Sequence, residues 1–164
     1  MANPTLDLEF VFQIRVDFKE RTRFPSLMGG RVFVPVAGGT ISGPRLQGKV
    51  LPYSGGDYAR AHLDGAGDLN AHYMLEAADG TPIYIYNKGY LYGMQADGTP
   101  IPQDKKKGFE IATSTYFVCT PVFDCPIGPH DWLTRTVIVG KGTRKPDPDH
   151  TIFDYFAVNS RVAK

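Results

Sequence analysis

Leu8, Phe10, Phe12, Ile14, Val16 and Phe18 alternate with Glu9, Val11, Gln13, Arg15 and Asp17 near the start of the chain. A period of two sends successive side chains to opposite faces, so this run predicts a long strand with one face buried. Residues 31–36 (RVFVPV) predict a second strand, its proline marking an edge or a bulge. Residues 38–57, GGTISGPRLQGKVLPYSGGD, set glycines and prolines among alternating apolar positions. Glycine inside a strand marks a bulge, a bend or a close backbone approach, and repeated strand glycines turn the corners of small barrels. This stretch predicts two arms over residues 39–51, bent at Gly43-Pro44, then a turn at 53–56 leading into a strand at 57–63.

Further on, Leu69, Ala71, Tyr73 and Leu75 fall on one strand face and Asn70, His72, Met74 and Glu76 on the other. Asp79-Gly80 predicts a hairpin turn into the β-branched and aromatic run 83–87. Residues 91–108 read as a long loop, of the kind that serves as a lid or binding loop. Strand character resumes at 116–123 and breaks at 126–129. Residues 130–134 predict one helical turn carrying Trp132, and 136–139 and 152–158 complete the strands. No segment sustains a 3.6-residue period. The expectation is all-β: a single antiparallel β-barrel of about 8–10 strands, closed to remove exposed edges, with at most one short helix. One domain spans 1–164, with flexible termini at 1–5 and 160–164.

At 164 residues the chain can bury a full core. Lys+Arg 18 against Asp+Glu 17 leaves a net charge of +1, without the basic excess of a nucleic-acid binder. The one basic run, Lys105 to Lys107, reads as a solvated loop. No apolar run approaches the ~20 residues of a membrane span, and no secretory leader pattern opens the chain. Two cysteines, Cys119 and Cys125, are too few for a disulfide framework and read as free thiols. A cytoplasmic protein is expected.

The runs GGTISGPRLQGKVLP with GGD, LNAHYMLEAADGTPIYIYNKG, TPVF, HDWL and VIVGKGTR, in that order, resemble a bacterial and fungal family known as a conserved domain of unknown function. The likeness extends from about Leu8 to Val158. Members resemble the small antiparallel barrels of allene oxide cyclase and dirigent proteins, which steer cyclisation or coupling of apolar substrates without a cofactor. For chemistry this is analogy of fold.

Candidate chemistry narrows by elimination. His62, His72, His130 and His150 form no close pair and no Cys-x-x-Cys accompanies them, so no metal site is expected. No Gly-x-Ser-x-Gly elbow is present, and the glycines lead into strands rather than a phosphate-binding helix. No cofactor is therefore expected. What remains is a polar and aromatic set within the family-like segments: Arg45, Asp57, Tyr73, Asn87, Tyr116, Trp132 and Arg135. In a greasy barrel, Asp57 would act as acid/base, and Tyr73, with Asn87 on the neighbouring strand of its hairpin, would be a catalytic hydrogen-bond donor. Asn87 would be a second polar contact to a carbonyl or enolate. Arg45 would clamp an anion, Tyr116 and Trp132 would form flat walls, and Arg135 would complete the substrate contacts.

Each has a structural alternative. Asp57 could cap its turn, Arg45 pair with a carboxylate, Tyr73 fill the core, Asn87 serve the turn at Lys88-Gly89, Trp132 plug one end, and Arg135 pin its neighbour. The reading is a cofactor-independent lyase or isomerase for a small, partly apolar carbonyl or phenolic metabolite. Its alternative is a non-catalytic small-molecule-binding barrel. Self-association is compatible with both; nucleic acid and membrane are not expected partners.

Overall fold

The computed structural model describes residues 6–101 and 115–159. Its strands are β1 (Asp7–Phe18), β2 (Thr22–Ser26), β3 (Gly29–Ser42), β4 (Gly48–Val50), β5 (Gly56–Ala61), β6 (Gly67–Ala77), β7 (Pro82–Gly93), β8 (Thr115–Asp124), β9 (Ile138–Lys145) and β10 (His150–Asn159). A 3₁₀ turn, Asp131–Arg135, carries Trp132. All pairings are antiparallel. The sheet runs from β1 through β10, β9, β8, β7 and β6 to β4 and β5, then to β3, and the β1–β3 pairing closes it. Since β4 and β5 lie end to end between β3 and β6, the closed barrel has 8 strands, with β2 hung on β3.

The period-two pattern becomes the wall. On β6, Ala71, Tyr73, Leu75 and Ala77 are buried and face inward, while Asn70, His72, Met74 and Glu76 lie on the other face. β10 behaves alike through Thr151, Phe153, Tyr155 and Ala157. Glycine is required where the walls crowd. At Gly39 (φ +150°) a Cβ would lie 1.9 Å from the Arg15 carbonyl oxygen, so β3 can cross β1 closely there. At Gly140 and Gly142 a Cβ would stand 2.7 Å from Cys119 Sγ and 2.5 Å from the Phe117 ring, so these positions make room for interior side chains.

Three features depart from the sequence pattern. β3 runs on through Pro35 to Ser42, because pairing to β5 below and to β1 and β4 above holds it extended. β7 continues to Gly93, past the loop start expected at 91, because β6 and β8 flank it on both sides. β2 was not anticipated: every residue of TRFPS is exposed, so no alternation marks it and backbone pairing to β3 alone makes it a strand. Lys105 to Lys107 and the termini 1–5 and 160–164 lie outside the described residues.

Candidate functional site

The barrel interior is solid at one end and hollow at the other. At the solid end Phe12 packs edge-on against Phe123 and Trp132 and tilted against Tyr155, with Leu75, Ile83, Ile85 and Leu133 sealed around them. At the hollow end the inward positions are smaller: Val16, Val32, Val34, Val36, Ala59, Ala61, Gly67 and Ala71. With Phe18, Leu69, Leu91, Phe117 and Phe153 they enclose a cavity of about 100 Å³ that opens at the end where β1 finishes and the β9–β10 hairpin turns. That is several times the ~10–15 Å³ one water needs, and the apolar lining is that of a small-molecule pocket.

Asp57 and Tyr73 both line this cavity. Asp57 is there because the β5–β6 ladder, paired at Asp57–Ala71 and again at Arg60–Asp68, leaves the intervening residues unpaired. Side chains take over: Asp57 Oδ1 accepts the Asn70 N–H at 2.8 Å and Asp68 Oδ1 the Arg60 N–H at 2.9 Å. Asp57 thus accepts a backbone N–H from the facing strand rather than from its own turn. Burial among apolar walls, reinforced by the nearby Asp68 charge, outweighs that bond and raises its pKa to about 7. Burial likewise pushes the Tyr73 phenol up, and its buried hydroxyl stands near that of Tyr155 without meeting it in hydrogen-bond geometry among the described residues. The pair can therefore supply a carboxyl that exchanges its proton near neutrality and a phenol that stays protonated.

The cavity mouth carries groups the sequence reading did not select: Arg21, Arg23, Arg60, Arg144, Asp68 and Thr151. Arg21 and Arg144 share Asp149, Arg144 also donates to Thr151 Oγ1 at 3.0 Å, and Arg60 lies 3.6 Å from Asp68. A signal for Arg144 existed. It continues the inward series Ile138, Gly140, Gly142, and a charge at an inward position is exceptional. Arg21 and Arg23 carried no such signal, since Arg23 sits on the exposed β2 and Arg21 just before it.

The remaining selected residues stand elsewhere. Asn87 is fully buried and donates to the Tyr155 hydroxyl at 2.9 Å, within the packed interior. Trp132 plugs the solid end, with the Arg45 guanidinium 3.7 Å above its ring. Arg135 is exposed and pairs with Asp131 one turn away. Tyr116 lies outside the barrel, stacked on Tyr92. The structure brings Asp57 and Tyr73 together in the cavity and leaves Arg45, Asn87, Tyr116, Trp132 and Arg135 out of its lining. Each histidine has its own local partner: Asp68 for His62, Tyr84 for His72, Asp79 for His130 and the Pro148 carbonyl for His150. No helix among the described residues is long and apolar enough to cross a membrane.

A UPF0311 protein of Bradyrhizobium diazoefficiens is 32% identical over 146 residues, 88% of this chain and 92% of that protein. The crystal structure of a β-barrel-like protein from Acinetobacter baumannii superimposes with a TM-score of 0.79 at 27% identity, covering 96% of this chain and 99% of that one. An enzyme from Penicillium herquei shares the fold, with a TM-score of 0.69 at 19% identity, over 97% of this chain and 99% of that one. Fold and length thus agree with these proteins along nearly the whole sequence. With residues 6–158 matched by its model, the chain belongs to the family described as Protein of unknown function (DUF3237).

Proposed function

We propose that the protein is a cofactor-independent isomerase or lyase that moves a proton on a small, partly apolar carbonyl or phenolic compound held in the barrel cavity. One observation carries the reading: a carboxyl raised to about 7 and a phenol without a well-formed hydrogen bond among the described residues line the same, mainly apolar cavity. Asp57 takes or gives the proton, because a group titrating near the working pH is both a usable base and a usable acid. Tyr73, pushed up by burial, remains an O–H donor and hydrogen-bonds the carbonyl or enolate oxygen as charge develops there. The likeness to a Penicillium herquei enzyme supports the reading at the level of fold alone.

The test is proton exchange. Small ketones and phenols incubated with the protein in D2O should exchange carbon-bound hydrogen, read by NMR. The rate should rise with pH through about 7 and fall ~10²-fold or more in Asp57→Asn. The second reading, a binding barrel without turnover, draws on the apolar lining, which can hold a ligand by shape alone. Ligands that bind in the cavity yet never exchange would establish it and end the catalytic proposal.

A further inference from the structure

Asp57 and Tyr73 leave the cationic rim unused. We infer that Arg21, Arg23 and Arg144 bind the carboxylate of a small acid whose hydrocarbon or aromatic part enters the cavity. The inference rests on the cavity being the ligand site and adds the ligand's charge.

Four guanidinium groups reach the mouth, and their carboxylate partners are shared. Asp149 serves both Arg21 and Arg144, while Asp68 serves Arg60 and His62. Arg23 has no ion pair among the described residues; partial burial and the adjacent Arg21 charge push it below the ordinary guanidinium range, opposed by Asp149, which Arg21 and Arg144 already share. Asp57, the remaining acid at the cavity, is neutral over much of the range below pH 7. Positive charge at the mouth is therefore under-compensated. Arg144 adds preorganisation: its side chain is only 12% exposed and lies between Asp149, Thr151 and the Phe18 ring. Arg60 Nε is buried, and Asp68, 3.6 Å away, lies beyond hydrogen-bond reach. Planar guanidiniums set in a partly dry rim match a carboxylate's two oxygens.

Behind the rim, the walls are mostly apolar, with Val16, Val34, Leu69, Leu91 and Phe153 around the two polar groups Asp57 and Tyr73. Anion outside and hydrocarbon inside describe a compact monocarboxylic acid of about one ring.

Phenylacetate and its neutral isostere phenylacetamide test this by calorimetric titration at low salt. Wild type should bind the acid about tenfold tighter than the amide, the scale of one charged hydrogen bond. Arg23→Gln, at an exposed site with no ion pair to lose, should erase most of that preference, and Arg23→Lys should restore part of it. Ala59→Phe, with Val34→Phe as a second filled-cavity variant, should abolish binding of both compounds. Equal affinity for acid and amide, a preference untouched by Arg23→Gln, or binding of neither would overturn the assignment. If both bind equally and the filled variants lose both, the cavity reading stands and only the carboxylate falls. If acid selectivity survives filling, the acid sits elsewhere and both fall.

Discussion

The two ends of this barrel share their strands and their in-out alternation, yet one is filled and the other hollow. On β6 the step from Leu75 to Ala71, and on β1 from Phe12 to Val16, crosses from one condition to the other without a break in pattern. Alternation decides which side chains face inward; their volume decides whether they meet. Aromatic rings span the solid end, whereas valine and alanine leave the opposite walls apart. A barrel of this strand number has room for side chains or for one small ligand, and this chain uses each option at a different height.

The largest contrast should appear on truncation. Leu75→Ala empties a fully buried position at the solid end and should cost about 2–5 kcal/mol. Val34→Ala removes atoms that already border open space, leaves little new cavity and should cost about 1 kcal/mol or less. Urea unfolding of the two variants measures both. Equal losses would mean the two ends are packed alike.

That same contrast explains what the sequence could and could not disclose. Inward parity was legible: Tyr73 stands in a clean alternation, and Asp57 shares its parity with Ala59 and Ala61. What each inward side chain reaches was not. Asp57 and Asn87 both point inward and share one ladder row through Ala71, yet Asp57 lines the cavity and Asn87 reaches Tyr155. Asn87 and Tyr155 stand 68 positions apart, and local pattern does not encode which inward side chains meet. Trp132 and Arg45 have the composition of a binding site, yet the 3₁₀ turn carries Trp132 to the plugged end, where Arg45, from the segment between β3 and β4, covers its ring. Arg21 and Arg23 were hidden for the opposite reason: β2 has no apolar face, so nothing local shows that it delivers Arg23 to a cavity.

Next in size is the pH dependence of Asp57. Its carboxyl goes from 3.8 in an ordinary setting to about 7 in the fold, so between these values the folded protein holds a proton that the unfolded chain releases. Wild-type stability should therefore fall from about pH 4 to pH 7 and level off above. Asparagine keeps an acceptor for the Asn70 N–H without the buried charge. Asp57→Asn should match wild type near pH 4 and exceed it increasingly up to pH 7. At about 1.4 kcal/mol per pH unit the difference is bounded near 4 kcal/mol, less what solvent at the cavity mouth recovers. Denaturation at pH 4, 6 and 8 measures it; parallel curves would place Asp57 in water.

The finest division runs between two phenols of the same interior. Tyr155 accepts a hydrogen bond from Asn87 within the packed region, so Tyr155→Phe strands a buried amide N–H and should cost about 1–3 kcal/mol. Tyr73 makes no well-formed hydrogen bond among the described residues, its hydroxyl only neighbouring that of Tyr155, so Tyr73→Phe strands little in the apolar wall. Its stability should change by less than about 0.5 kcal/mol, or rise, because losing an unpaired buried polar group relieves a desolvation penalty. A phenol whose hydroxyl adds little to folding and whose side chain forms part of the cavity wall with Asp57 is the group to test against a ligand oxygen. Tyr73→Phe should therefore weaken binding or exchange of a carbonyl compound while leaving the unfolding midpoint in place. A Tyr73→Phe protein as destabilised as Tyr155→Phe would show that Tyr73 serves the core, and that the hollow end carries one functional group rather than two.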